Sequence, residues 1–271
     1  MRIMSYNVNG IRARWDQLTA VLDTLQPDIV GLQETKVIDE DFPLQDLNAL
    51  GYHAHFHGQK THYGVAILSK TTPLSTAKGF PHDDEDAQRR LVCASFPLAS
   101  GAKLHIVNGY FPQGESRDHP TKFPEKRKFY ADLHRHLIQA HQAGDLLAVL
   151  GDFNVAPQDK DVGIGEDNVK RWLRTGKCSF LPEEREWIGR LFDWGLHDSY
   201  REKNLETADV FSWFDYRTKA FEREPKRGLR IDMVLATKPL MALCRDARID
   251  YHFRGQPKPS DHCPVWADFA L

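Results

Sequence analysis

Cysteine is scarce and unpatterned. Cys93, Cys178, Cys244 and Cys263 lie far apart in 271 residues with no CxxC pair, which excludes a cysteine-built zinc knuckle or a dithiol redox motif and reads as reduced thiols in a cytosol. Long apolar runs are absent as well: nothing approaches the roughly 18 residues that a membrane span requires, so no membrane partner is expected. The opening residues MRIMSYNVNG enter an apparent strand at once and leave no room for a secretion signal, which gives a cytoplasmic address. Neither sign of charge dominates. With a net charge of −2, a polyanionic partner must be met by a local basic surface rather than by the field of the whole molecule. Low-complexity and linker-like stretches are missing too. A composition 41% hydrophobic and 27% charged suits a sizeable soluble core, and we expect a monomer with a single domain over residues 1–271.

What is present is a mixture of helix and strand. In RWDQLTAVLDTL the apolar Trp15, Leu18, Val21, Leu22 and Leu25 recur with a helical period. Helices are also expected over 125–143 and 182–194. DIVGLQE, YGVAILS, LHIVNGYF, LLAVLGDF, RIDMVLA and CPVWADFAL are short and rich in β-branched and aromatic residues, as strands are. Strands outnumber long helices, which favours packed sheets with helices outside. VNG occurs at residues 8–10 and again at 107–109, a hint of a duplicated α/β half that three residues are too few to establish.

A polar residue recurs where each apolar run stops. YNVNG offers Asn7 and Asn9, GLQE offers Glu34, VNGYF offers Tyr110, GDFN offers Asp152 and Asn154, RID offers Asp232, and PSDHCPV offers Asp261 and His262. In a strand, residues i and i+2 share a face, so Asp152 and Asn154 are expected to point into one place at a strand's carboxyl end. Taken singly, each has a plainer reading. Asparagines form turns, a lone aspartate caps one, and an isolated histidine or tyrosine is a packing residue. A separate explanation at every strand end is less economical than one shared site, and ligand sites in sheet proteins gather at such ends.

Asparagine, glutamate and aspartate offer oxygen only, which suits Mg²⁺ or Mn²⁺ better than zinc. Mg²⁺ typically takes one or two protein carboxylates, keeps waters, and shares phosphate oxygens with the substrate. Phosphoester cleavage is the natural reaction. It needs a polarising cation, a group that activates water, and donors for the charge that builds on the phosphoryl oxygens. Asp152 can take a water's proton, Asn154 can hold that water or a phosphate oxygen, and His262 and Tyr110 can donate. Asp232 is the candidate that fixes the His262 tautomer and favours its cationic form.

NVNG, LQETK, NGYFPQGESRDHP, GDFN, GLRID and SDHCPV, in this order, resemble the endonuclease/exonuclease/phosphatase superfamily, and GKCSFLPEEREW with FSWFDYR resembles its exonuclease III branch. The likeness runs from Arg2 to Phe269. It implies an α/β four-layer sandwich, with two mixed sheets packed face to face and helices on the outer faces. It also implies metal-dependent action on double-stranded DNA with abasic sites, nicks or 3′ ends. Enzymes of this branch cut 5′ of abasic sites, degrade one strand 3′ to 5′, and remove 3′-phosphate and other 3′ blocking groups. Carried over by motif position, Asn7, Glu34 and Asp261 fall near the metal. Tyr110, Asp152, Asn154, Asp232 and His262 fall around the scissile phosphate, with Asp152 as base. Arg90 and Gln113 fall at the duplex, and Trp213, Leu229 and Ile231 around the abasic sugar. Asn9 sits where some relatives carry a carboxylate.

KRWLRTGK, residues 170–177, holds four basic residues and no acid, and RTKAFEREPKRGLR, residues 217–230, holds six against two. Such runs are ordinarily solvated faces. Interleaved with Trp172, Phe214 and Tyr216, they suit a surface that tracks a nucleic-acid backbone, and Lys170 and Arg171 are expected on phosphate. The acidic HDDED at 82–86 is expected to lie off the DNA path. Two other classes compete. A sister hydrolase of inositol phosphates or phospholipid head groups would share GDFN and SDH without the basic aromatic segments. A non-cleaving relative would have lost some of the acids and amides, and none is lost.

Overall fold

Along Arg2–Asn7 the side chains alternate between two destinations. Ile3 enters a core between two sheets, whereas Met4 and Tyr6 enter a second core beneath the helix Trp15–Leu25. That alternation repeats in strand after strand and sets the architecture. A computed structural model describes all of residues 1–271. Its strands in chain order are β1 (Arg2–Asn7), β2 (Ile29–Gln33), β3 (His53–His57), β4 (Val65–Ser69), β5 (Ser75–Lys78), β6 (Leu91–Pro97), β7 (Lys103–Tyr110), β8 (Leu146–Asp152), β9 (Leu196–Asp198), β10 (Asp232–Thr237), β11 (Cys244–Ile249) and β12 (Val265–Phe269). They form two six-stranded sheets, ordered β11-β12-β1-β2-β4-β3 and β5-β6-β7-β8-β10-β9.

Ile29, Ile67, Val92, Ile106, Leu150 and Val234 join Ile3 between the sheets. On the outer face of the first sheet, Val30, Leu32 and Leu68 pack with Leu18, Val21 and Leu22 of the helix Trp15–Leu25. On the outer face of the second, Val107, Leu147, Val149 and Leu235 pack with Phe129, Leu133 and Leu137 of the helix Lys122–Ala140 and with Ile188 and Leu191 of the helix Pro182–Trp194. Helix, sheet, sheet, helix is the four-layer α/β sandwich. The sheets touch through polar groups as well. Asn108 Nδ2 donates to the carbonyls of Leu32 and Ala66, each at 2.9 Å, and Gln33 Nε2 donates to Asn108 Oδ1 at 2.7 Å. Gly31 permits that approach, because a Cβ there would stand 2.1 Å from Leu150 and 2.6 Å from Asn108 Oδ1.

Each sheet contains one parallel pair, β1 with β2 and β7 with β8, and in each pair the crossover carries a helix, Trp15–Leu25 or Lys122–Ala140. The order of strands around the two pairs is the same, so the α/β half is repeated. The VNG triplets do not mark that repeat: residues 8–10 lie past the end of β1, whereas residues 107–109 lie inside β7. The helix expected over 125–143 begins and ends three residues earlier, at Lys122 and Ala140, and the helix over 182–194 lies as expected. All four cysteines are free. No helix is long and apolar enough to cross a membrane.

Candidate active site

The carboxyl ends of β1, β2, β7 and β8 meet at one end of the sandwich, joined by the start of β10 and the loop before β12. At their centre, His262 Nδ1 lies 2.9 and 3.0 Å from the two carboxylate oxygens of Asp232, and His262 Nε2 lies 3.8 Å from Asp152 Oδ2. All three residues are buried. Burial disfavours the imidazolium, yet Asp232 and Asp152 outweigh it and hold the His262 pKa above its ordinary value. Burial also raises the Asp152 carboxyl, a shift that His262 opposes and that Asp232 and Glu34 reinforce. Ser212 Oγ steadies the arrangement by accepting from the backbone N–H groups of Ile231 and Asp232, both at 2.9 Å.

Asp152 and Asn154 do meet, though not through the pleat of a strand. β8 ends at Asp152, Asn154 turns left-handed at φ 52°, and its backbone N–H donates to Asp152 Oδ1 at 3.0 Å. The turn-forming habit of asparagine, set out above as the plainer reading, thus works together with the site. Asn7 links the sheets by donating through Nδ2 to Asp152 Oδ2 at 3.0 Å and to Glu34 Oε1 at 2.9 Å. Lys36 Nζ lies 2.7 Å from Glu34 Oε2. Burial works against the Glu34 carboxylate, but Lys36 and Asn7 together hold its pKa below the usual range. Burial keeps the Tyr110 hydroxyl far above its ordinary pKa, with Glu34 adding to the shift, so it remains a proton donor.

Glu34, Asp152 and His262 offer ligand atoms within 4.8 Å of one another. Two carboxylates fit a hard dication better than zinc, because His262 Nδ1 is already engaged with Asp232; Asn7 turns its Nδ2 amide toward both acids, and its Oδ1 accepts from the Asn9 backbone N–H at 3.0 Å. Asp261 stands outside that tight group. Its Oδ1 accepts from Asn9 Nδ2 at 2.9 Å and its Oδ2 from Trp213 Nε1 at 3.0 Å.

These residues floor a cleft of about 570 Å³ whose lining includes Tyr110, Gln113, Asn154, Trp213, Leu229, Ile231 and Asp261. Three of the expected substrate contacts, Arg90, Lys170 and Arg171, lie outside the lining of this cleft. Arg90 is only 7% exposed. Its guanidinium donates to the Tyr110 carbonyl at 3.0 Å and lies 4.7 Å from the Tyr110 ring centroid and 4.0 Å from that of Tyr63, so it braces the cleft wall instead of reaching out of it. Lys170 and Arg171 sit on the helix Glu166–Arg174, outside the cleft lining. Lys170 lies 4.0 Å from Glu166, one turn earlier and outside the run counted as acid-free, and Arg171 donates to Asn168. The basic residues that do line the cleft are Lys177, whose Nζ lies 3.9 Å from the Trp172 ring centroid, and Arg217. Arg230, counted in the second basic run, is fully buried.

Lys36 was not singled out from the sequence, although its spacing of two from Glu34 in LQETK was a visible signal. Lys126 carried no signal at all. It is buried near the start of the helix Lys122–Ala140, with Nζ donating to Glu184 Oε1 at 2.5 Å, to the Asn154 carbonyl at 2.8 Å and to the Gln113 carbonyl at 3.2 Å. One ammonium thereby fixes two loops of the cleft.

A buried Asp–His pair facing a second acid and an oxygen-rich pocket, set at the strand ends of a four-layer sandwich, defines a phosphoesterase. The sequence profile of the Endonuclease/Exonuclease/phosphatase family matches residues 4–262, and the chain belongs to that family. Within the family it is 53% identical to exodeoxyribonuclease III of Haemophilus influenzae, over 99% of this chain and 100% of that one. Among solved structures, a 3′ phosphatase from Neisseria bound to product DNA hairpin superposes with a TM-score of 0.89 at 36% identity, covering 100% of both chains. An AP endonuclease from Archaeoglobus fulgidus superposes with a TM-score of 0.90 at 32% identity, again over 100% of both. The chain is a phosphodiester hydrolase of the exodeoxyribonuclease III and AP endonuclease kind, a DNA repair nuclease.

Proposed function

We propose that this enzyme hydrolyses backbone phosphodiesters of duplex DNA in three settings: 3′ to 5′ removal of nucleotides, cleavage 5′ of abasic sites, and release of 3′-phosphate or other 3′ blocking groups. One catalytic unit spanning residues 1–271 and acting as a monomer in the cytoplasm suits this work. The observation that carries the reading is the line Asp232–His262–Asp152 with Glu34 beside it.

Glu34 and Asn7 would hold Mg²⁺ or Mn²⁺, with Asn7 turning its amide oxygen to the ion and Asp261 lining the same cleft. When bound, the cation polarises the scissile phosphate and offsets its charge. Asp152, its carboxyl held near Asn7 and Asn154, takes the proton of the attacking water. His262, kept cationic by Asp232, donates to a phosphoryl oxygen as negative charge develops there. Tyr110 and the Asn154 amide fix other oxygens of the same group. Trp213, Leu229 and Ile231 form an apolar wall that admits a flipped sugar lacking its base and excludes a normal nucleotide by size. Gln113 lies against the duplex at the cleft mouth, Arg90 holds Tyr110 in place, and Lys170 with Arg171 meets the phosphate backbone further along.

The test uses a 5′-labelled duplex carrying one abasic analogue, incubated with Mg²⁺, with chelator, and beside inositol phosphates. Cleavage 5′ of the analogue that needs the cation is expected. Turnover of inositol phosphates in preference to DNA would assign the site to the sister hydrolases, and full DNA cleavage in chelator would remove the metal from the reading.

A further inference from the structure

At the other end of β7 lies a second group of ligating side chains that the nuclease chemistry does not use. His105 sits on the helix-covered face of β7, His141 immediately follows the helix Lys122–Ala140, and Asp145 immediately precedes β8. At about 3.3 Å per residue, His105 is roughly 16 Å down the strand from Tyr110. His105, His141 and Asp145 offer ligand atoms that all lie within 4.8 Å of one another.

We propose that these three residues form a second metal site, for zinc or a similar transition-metal dication. His141 is the strongest indication. Its side chain is only 10% exposed, and its buried Nδ1 has no hydrogen-bond partner, an expensive state for a polar atom. Asp145 Oδ2 is 3.8 Å away, which leaves room for an ion between them. His105 is oriented in the manner of a ligand: its Nδ1 lies 2.9 Å from Ser95 Oγ, freeing Nε2. Asp145 Oδ2 accepts from the Gln142 backbone N–H at 2.9 Å, which aims the carboxylate. Burial, with His105 and His136 adding, lowers the His141 pKa to about 4, so the imidazole is neutral and its lone pair available near pH 7.

Two imidazoles and one carboxylate are a zinc-type donor set, unlike the oxygen set of the cleft. His136 lies beside the group, its ring centroid 5.7 Å from that of His141. A bound ion would tie the helix end and the turn before β8 to β7, as a staple rather than a participant in hydrolysis.

Metal-stripped full-length protein is titrated with Zn²⁺ in the presence of excess Mg²⁺. One equivalent is expected to bind and to raise the melting temperature, and Glu34→Gln should retain both effects. His105→Gln and Asp145→Asn should weaken zinc binding at least about 10-fold while leaving the Mg²⁺-supported nuclease rate unchanged. The visible spectrum of Co²⁺ added to the unaltered protein reads the site without any substitution, and intense bands of a nitrogen-ligated tetrahedral ion are expected. Failure of the unaltered protein to bind zinc, equal affinity in His105→Gln, or only weak octahedral cobalt bands would each overturn the proposal.

Discussion

Arg230 and Asp232 are both fully buried and stand two residues apart, yet they belong to clusters with opposite properties. Arg230 gives Nε to Asp161 Oδ1 at 2.7 Å and Nη2 to Asp198 Oδ2 at 2.6 Å, and Arg201 closes the network on Asp161. Burial works against the Asp161 carboxylate, but the two arginines hold its pKa below the usual range. Asp232 instead pairs with a histidine whose second nitrogen faces the cleft. A permanently charged fork saturates its partners and locks the chain, whereas a histidine with one occupied nitrogen keeps the other for a substrate. Ile231, between the two, lines the cleft that the arginine cluster supports from behind.

The largest effect is expected from breaking the locked cluster. Arg230→Met should cost about 3–5 kcal/mol of stability in a denaturant titration, since Asp161 and Asp198 lose a buried partner. A loss under about 1 kcal/mol, the scale of exposed pairs, would erase the distinction between the clusters. Next comes Asp152→Asn, which should lower turnover by roughly 10² to 10³ with DNA affinity nearly unchanged. Its effect on stability has the opposite sign. A carboxyl whose folded pKa lies above its unfolded one destabilises the fold wherever it must be ionised, so the neutral amide should raise the melting temperature at pH 8. A melting temperature that falls in step with turnover would make Asp152 part of a locked cluster too.

Trp213 tests how far the open cluster extends. Trp213→Ala should lower abasic-site cleavage more than 3′-phosphatase activity, by an added factor of about 10, the scale of a few apolar contacts. Trp213→Phe keeps the apolar wall and removes only the bond to Asp261, so it should move both rates together. Equal loss of both rates in Trp213→Ala would place Trp213 with the general machinery instead of the lesion pocket. Glu34→Gln should raise the Mg²⁺ concentration needed for half-maximal rate by about 10-fold, and unchanged demand would remove Glu34 from the metal. The smallest effect concerns pH. Because burial raises the Asp152 pKa, activity should fall on the acid side above the ordinary carboxylate range. More Mg²⁺ should move that limb to lower pH, and a limb insensitive to Mg²⁺ would separate Asp152 from the cation.

The interior strands were readable from sequence, and the edges were not. β3, β5, β9 and β11 are the four edge strands, and none stood out. HAHFH, STAK, LHD and CRDARI carry histidine, lysine and acids where a strand flanked on both sides carries Val, Ile and Leu. Charge on an edge prevents pairing with another chain, and it also removes the alternation that identifies a strand. β6 is interior, and LVCASFP was passed over because Ser95 and Cys93 interrupt its outer face. The candidate cleft was legible because polar residues stand where apolar strands end, and the fold brings those ends together. The groups behind it were not: Ser212, Lys126 and Arg230 act through bonds to distant backbone and acids. Arg230 in particular read as one more member of a surface run.

β1 pairs with β12 in the middle of its sheet, with Arg2 opposite Asp268 and Ser5 opposite Val265. During synthesis the first strand therefore waits for the last before its sheet can close. A ribosome adding about 5–20 residues per second will have delivered Asn7, Glu34 and Asp152 on the order of ten seconds before His262. Until then the nascent chain carries these groups without the imidazole of His262. The line Asp232–His262–Asp152 is therefore complete only once β12 and the loop before it have docked on β1.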